Sequence, residues 1–299
     1  MNFSFIIPHK NVPELLKKLL DSIPVRDDTE VIVVDDHSDP SIVDFVNFPG
    51  LKRRNTKCIF LDESRGAGYA RNVGIDNASG KWLLFADSDD SYTERIDNVL
   101  EQYKDDDKTE MVILNAQMVD ETGRVMYHRP NMYIDNYLHK RLYSEKIIRF
   151  EIWTPWSRMV KRSFVLEHNL RYEEIPVGND MMFCLRCSQY AKTLSVEGDI
   201  VYNYLQPVGR SVTNAYSFSI KSLESKVDRA FRRQALYKEV GYIFKPTHLL
   251  KLYKAKKNPA YSDEYVERYR ELLKGYNYSY VKDFCNLCIL QIGRMLKIV

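Results

Sequence analysis

Short apolar runs alternate with amphipathic stretches through the first ninety positions, and the alternation lays out a sheet. Residues 3–8, 30–35, 57–61 and 81–86 are rich in Val, Ile, Leu, Phe and Trp and predict strands. Residues 12–22, 41–47 and 67–78 carry helical spacing between them, the middle one as a short helix. Strands and helices alternating at this length specify right-handed βαβ units, hence a mostly parallel open sheet flanked by helices. Ligands of such sheets gather beyond the carboxyl ends of the strands. Residues 110–118 and 124–128 predict two further strands joined at Glu121-Thr122-Gly123, and 194–204 is again β-rich. Between about 129 and 178 the periodicity predicts nothing regular. Ile220, Leu223, Val227, Ala230 and Phe231 return to helical spacing, and helices are expected near 217–240, 247–256, 263–275 and 280–298.

The strand ends carry the chemistry. Trp82-Leu83-Leu84-Phe85-Ala86 runs directly into Asp87-Ser88-Asp89-Asp90, and an unpaired carboxylate is disfavoured inside a sheet, so these acids belong at the strand's carboxyl end. Hard cations such as Mn²⁺ or Mg²⁺ are held by one or two carboxylates together with phosphate oxygens, which is the donor set this run offers. The plainer reading is a solvated loop in which Asp89, Asp90 or Ser91 caps a helix from Tyr92. Strand one ends in Pro8-His9-Lys10-Asn11 and strand two in Asp35-Asp36-His37-Ser38-Asp39, so three polar strand ends converge. Together they suit a nucleoside diphosphate: an acid after strand two accepts from a base N–H, Asp87 reaches a ribose hydroxyl, and Asp89 holds the metal that bridges two phosphates.

Two other nucleotide readings are weaker. Gly66-Ala67-Gly68-Tyr69-Ala70-Arg71 has part of a dinucleotide fingerprint, but Arg71 stands where a third glycine is needed and the segment follows the third strand rather than the first. No Walker A sequence occurs. A sugar nucleotidyltransferase would want a glycine-rich first loop, which Pro8-His9-Lys10-Asn11 lacks.

Phe5-Ile6-Ile7-Pro8-His9-Lys10-Asn11, Glu30 to Ser38, Gly66 through Ala70-Arg71-Asn72-Val73-Gly74-Ile75, and Ala78-Ser79-Gly80 leading into Asp87-Ser88-Asp89-Asp90 stand in order. In this the chain resembles the family 2 glycosyltransferases of GT-A fold, strongly over 3–92 and more weakly through Trp156 and Gly178-Asn179-Asp180 to Val212. The resemblance implies an inverting hexosyltransferase-type enzyme using a nucleotide sugar, usually a UDP-sugar. Asp36 then lies near the base, Asp87 near the ribose and Asp89 on the cation, with Pro8, Asn11, Arg71 and Ser88 completing the donor set. Asp180 is the candidate base, in a helix-opening pair where the family commonly has Glu-Asp and this chain has Asn179-Asp180. A second departure is Lys10, where Tyr is frequent. Arg210 is a candidate for closing over the diphosphate, and Trp156 for stacking on a sugar or, as the preferred reading, packing beneath the sheet. The implied acceptor is a hydroxyl of a glycan or lipid-linked carrier in cell-surface polysaccharide synthesis. The alternative of another class is a non-catalytic nucleotide- or carbohydrate-binding module.

Charge divides the chain. The formal net charge is +3, yet residues 215–299 hold 17 Lys and Arg against 8 Asp and Glu, so a catalytic domain over 1–214 and a basic helical region over 215–299 are expected. Amphipathic residues 280–298 make peripheral contact with an anionic membrane a candidate role, while nucleic acid is not an expected partner. The amino terminus has no charged leader, no apolar run is long enough for a membrane span, and the five cysteines are odd in number. These features predict a cytoplasmic protein with reduced thiols, with the inner face of the membrane as the peripheral location. Cys184/Cys187 and Cys285/Cys288 have zinc-like spacing, but their apolar helical surroundings favour packing.

Overall fold

The computed structural model describes residues 1–126, 128–140, 145–206, 220–242, 257, 261–279 and 281. The chain divides into two compact units, Met1–Val208 and Gly209–Val299. In the first, β1 (Phe3–His9), α1 (Pro13–Ser22), β2 (Thr29–Asp35), β3 (Thr56–Phe60), α2 (Ala67–Asn77) and β4 (Trp82–Phe85) follow the expected alternation. Then come β5 (Ser91–Tyr92), α3 (Arg95–Tyr103), β6 (Met111–Val119), β7 (Val125–Met126), α4 (Arg129–Leu138), α5 (Glu145–Glu151), a 3₁₀ turn (Pro155–Ser157), β8 (Arg158–Lys161), α6 (Arg162–Glu167), α7 (Met181–Tyr190) and β9 (Leu194–Leu205).

The strands form one sheet in the order β3-β2-β1-β4-β8-β6-β9-β5, with β7 hydrogen-bonded to β6. The first four run parallel, while β8 enters antiparallel between β4 and β6 and β9 lies parallel to β6. Strand order reverses between β1 and β4, which opens a crevice at their carboxyl ends. The ends of β1 and β2 are level, whereas β4 stops three residues short of the end of β1. Ile6 pairs with Phe85 and His9 with Asp35, while the Ala86 N–H donates to the Ile6 carbonyl and the Asp36 N–H to that of His9.

Both faces of the central strands are buried, and side chains alternate between them. Phe3, Phe5, Ile7, Val31, Val33, Trp82 and Leu84 pack with Leu16 and Leu19 of α1 and Val99 and Leu100 of α3. Ile6, Ile32, Val34, Leu83 and Phe85 pack on the other side with Ala70 and Ile75 of α2 and Phe183 and Cys184 of α7. Each fully buried aliphatic chain contributes roughly 1.5–3 kcal/mol, so the crevice rests on a rigid floor.

Three expectations change. Residues 41–47 form turns rather than a helix, because the Asp39 carboxylate accepts from the Ser41 N–H and Asp44 from those of Val46 and Asn47, offering the backbone local partners that a helix would not use. No helix starts at Tyr92, since Ser91 and Tyr92 pair with Asn203 and Tyr202 of β9, and the helix opens at Arg95. The stretch from 129 to 178, unreadable by periodicity, holds α4, α5, β8 and α6.

In the second unit, a helix over Ile220–Glu239 and another over Asp263–Gly275 share a small core of Leu223, Val227, Tyr265, Val266, Tyr269 and Leu273. Ser262 caps the second helix by accepting from the Tyr265 N–H, and Arg268 pairs with Glu224 at 2.6 Å. Arg210, Cys285, Cys288, the helix expected over 247–256 and nearly all of 280–298, with its candidate membrane contact, lie outside the described residues. Among the described residues no helix is long and apolar enough to cross a membrane.

Candidate active site

The acids after β4 have three different surroundings. Asp87 pairs with the Arg71 guanidinium, and its N–H donates to the Tyr202 hydroxyl at 3.0 Å. Asp90 is 4 % exposed; it accepts from the Tyr202 hydroxyl at 2.7 Å and from the Leu205 N–H at 2.7 Å, which ties the acidic turn to β9. Burial, then Asp87 and Asp89, push its carboxyl well above the ordinary range. Ser88 is buried between them, and Asp89 is exposed. The protein around Asp89 strips part of its hydration and Asp87 repels it, so its carboxyl is also pushed up, and among the described residues no cationic side chain pairs with it.

This donor set fits a divalent cation. Negative charge is concentrated on a carboxylate facing solvent, and a cation there would relieve both the repulsion and the raised proton affinity. Among the described residues no three His, Cys, Asp or Glu side chains gather into a protein-only metal cage. Asp89 would therefore supply one or two oxygens and leave the other positions to phosphate and water, the usual arrangement for Mg²⁺ and Mn²⁺.

Helix α2 joins these acids to the segment bearing Asp180. Arg71 is buried; besides Asp87 it reaches the Asn179 amide oxygen at 3.0 Å and lies over the Tyr172 ring. Burial works against its charge, but Asp87, then Tyr172 and Asp180, hold it above its ordinary value. Asn72 brackets the backbone of Tyr172, its amide donating to the carbonyl at 3.0 Å and accepting from the N–H at 2.8 Å. Gly68 admits the Glu173 carbonyl so closely that an added Cβ would lie 2.1 Å from its oxygen. Held in this way, 172–179 delivers Asp180 to the start of α7. The half-buried Asp180 carboxylate makes no capping bond to the helix it opens.

Beyond β1 and β2 the polar groups serve one another. His9 Nδ1 meets Asp35 at 2.7 Å while its Nε2 accepts from the Val12 N–H at 3.2 Å, and Ser38 donates to Asp35 through both its N–H and its hydroxyl. Asn11, at φ +58°, donates its N–H to Ser38 Oγ and accepts from the Asp39 N–H, so its side-chain oxygen joins two loops. Pro8 is buried opposite Val34. Asp36 accepts from the N–H groups of Arg65 and Gly66 at the head of α2. Those donors are thus turned to a carboxylate rather than to a pyrophosphate, which removes the basis of the dinucleotide reading.

The structure therefore gathers Asp87, Ser88 and Asp89 at β4, Pro8, Asn11 and Asp36 at β1 and β2, and Arg71 between Asp87 and the Asp180 segment. Asn72, Tyr202 and Ser64, which donates to Asp36 at 2.8 Å, were not singled out from sequence. Asn72 had a signal in its place beside Arg71; Tyr202 had none. Trp156 is buried and stacked with Tyr202 and Tyr204 at 5.2 and 5.5 Å, so it packs as preferred rather than facing the crevice. Cys184 and Cys187 are buried and free, and burial pushes the Cys184 thiol up to about 12, as suits packing rather than metal binding.

A model of the family described as Glycosyl transferase family 2 matches residues 4–168. The poly(ribitol-phosphate) β-N-acetylglucosaminyltransferase TarS of Staphylococcus aureus is 26% identical over 227 residues, covering 72% of this chain and 38% of that protein. The structure of S. aureus TarS 1–349 in complex with UDP-GlcNAc superposes with a TM-score of 0.63 at 18% identity, covering 94% of this chain and 93% of the other. The mannosyltransferase PcManGT from Pyrobaculum calidifontis, in complex with GDP-Man and Mn²⁺, gives a TM-score of 0.57 at 18% identity over 100% of this chain and 81% of its own. These likenesses establish the GT-A fold.

Proposed function

Since the chain belongs to glycosyl transferase family 2, we propose that its first unit is an inverting, divalent-cation-dependent glycosyltransferase. It moves a sugar from a nucleotide donor, by preference a UDP-sugar, to a hydroxyl of a glycan or lipid-linked acceptor. The observation that carries this reading is the Arg71 bridge: one buried cation touches the acid that closes on the ribose and the residue that precedes the base.

Asp180 takes the proton of the acceptor hydroxyl as that oxygen bonds to the anomeric carbon. The bond from that carbon to the diphosphate oxygen breaks on the opposite face, and its electron pair leaves with the nucleoside diphosphate. A cation held through Asp89 supplies the charge neutralisation that the departing diphosphate needs. Asp87 orients the ribose, and Asp90 with Tyr202 keeps the acidic turn in place. The UDP-GlcNAc in the TarS complex and the Mn²⁺ in the mannosyltransferase complex support donor and cation, and the poly(ribitol-phosphate) in the name of the S. aureus relative supports a hydroxyl-bearing polymer as acceptor.

The test is nucleoside diphosphate release from a panel of nucleotide sugars with Mn²⁺ or Mg²⁺ and a hydroxyl acceptor. Release that needs both cation and acceptor is expected. Donor binding without turnover on any acceptor would favour a binding module.

A further inference from the structure

β3 is the last strand at one end of the sheet, and half of its backbone is unused. In a parallel ladder a residue turns its N–H and its carbonyl to the same side. The Val31 N–H donates to the Asn55 carbonyl and the Leu61 N–H to that of Asp35, and with Val33 opposite Cys58 this turns Asn55, Lys57, Ile59 and Leu61 toward β2. Thr56, Cys58 and Phe60 therefore turn their N–H and carbonyl groups outward, and among the described residues no group bonds to them. Natural edges are commonly guarded by a lysine. Lys57 does not serve in that way, since its ammonium is drawn back to Asn77 Oδ1 on α2 at 2.6 Å.

The surroundings of this edge are complementary to themselves. Phe60 packs edge-on against Phe45 and Phe48 at 5.4 and 5.0 Å, and the loop that carries those rings leaves Ile42, Val46 and Leu51 exposed. Val46, at 81%, is the most exposed large apolar side chain among the described residues. Apolar groups gathered beside an open edge mark an interaction surface. The two ends of the strand also differ in sign: Arg54 precedes it, while Asp62 and Glu63 follow it, all three exposed. Arg54 meets Asp27 within its own chain, also at the surface. A copy laid parallel along the edge would set like charge beside like. Turned antiparallel, it sets Arg54 of each chain near Asp62 of the other.

We propose that this edge is occupied by a second copy of the chain, paired antiparallel through β3 about a two-fold axis at Cys58. Thr56 of each copy then stands opposite Phe60 of the other, and Cys58 opposite Cys58. Every one of these residues has its N–H and carbonyl turned outward, so each pair exchanges both N–H···O bonds. The two sheets become one whose halves run in opposite directions. The crevices at the carboxyl ends therefore face opposite ways, and neither copy covers the other's. Pairing through β3 is independent of which donor the crevice holds.

The experiment is sedimentation velocity of the unaltered chain over a concentration series, together with amide hydrogen exchange. A monomer–dimer equilibrium is expected. Asp62→Arg should weaken it about tenfold or more, because like charges then meet at two symmetric positions, and adding Arg54→Asp should restore it to within about threefold. Exchange reads the register: the Thr56, Cys58 and Phe60 amides should gain protection as concentration rises, while those of Lys57, Ile59 and Leu61, held by β2, are protected throughout. A chain that stays monomeric at every concentration overturns the proposal and leaves the edge to a different partner. So does a dimer indifferent to the charge reversal, a loss that the paired reversal fails to rescue, or a dimer whose three outward amides exchange as fast as in the monomer.

Discussion

The loops after β1 and β2 and the turn after β4 lie at the carboxyl ends of neighbouring strands of one sheet, yet their electrostatics are opposite. In the first, every acid is answered: Asp35 by His9 and Ser38, Asp36 by Ser64, Arg65, Gly66 and Lys10, Asp39 by Ser41. In the second, three carboxylates crowd into four residues with Arg71 paired to one of them, and the other two are pushed toward their protonated forms. A self-satisfied network gives rigidity, whereas an unbalanced one stores a demand for a cation. The fold uses the former as a frame for the latter.

The contrast is broken most severely by removing the charges that act. Asp180→Asn should lower turnover by about 10²–10⁴-fold, and Asp89→Ala should abolish cation-dependent transfer. Initial rates across a Mn²⁺ titration check both, and full activity in either variant would remove its assigned role. In the frame, Asp35→Ala leaves the buried donors of His9 and Ser38 without their acceptor and should cost about 1–3 kcal/mol of stability, read from urea midpoints.

The two regions should also answer acid differently. Although burial opposes it, the bonds from His9 and Ser38 hold the Asp35 carboxyl below its ordinary value. Its stabilisation is therefore complete above the unfolded carboxylate value near 4 and is lost as pH falls through the lower folded value. Asp89 has the reverse sign: its raised value means a cost at neutral pH that disappears on protonation. Asp89→Asn should thus raise the melting temperature of the cation-free protein at pH 7 while eliminating activity. The gain, limited by solvent screening, is a few tenths of a kcal/mol to ~1 kcal/mol. A fall in melting temperature would contradict the charge-crowding account.

A loss comparable to that at Asp35, with a second readout, is expected at Asn72. Losing both bonds to Tyr172 in Asn72→Ala should cost about 1–3 kcal/mol and lower kcat through misplacement of Asp180, with donor KM little changed. A donor KM that rises while kcat holds would mean that α2 shapes the nucleotide pocket alone.

β1, β2 and β4 were legible because strands buried on both faces read as continuous apolar runs, and β3, a half-exposed edge strand, from its place in the alternation. β8 was not, because Arg158-Met159-Val160-Lys161 looks like surface. Arg158 is in fact fully buried, its guanidinium bound to the Thr154 and Ile152 carbonyls and the Ser188 hydroxyl. The residue types at the site were equally legible, but not their division of labour. That Asp90 anchors and Asp89 faces solvent depends on Tyr202 and Leu205, more than a hundred positions away. That Asp36 accepts from Ser64, Arg65 and Gly66 depends on the path of the irregular segment before α2, which its residue types do not reveal.

The pairing register of β1, β2 and β4 sets a rule for tolerated insertions and deletions. Dropping one residue from β4 would pull the acids back by about 3.3 Å and swing their side chains to the opposite side of the sheet, whereas added length between β2 and β3 leaves every paired position where it was. Drift in chain length is thus expected to collect in the connection beyond Asp39, over residues 40–55, with the spacing from Trp82 to Asp89 held fixed.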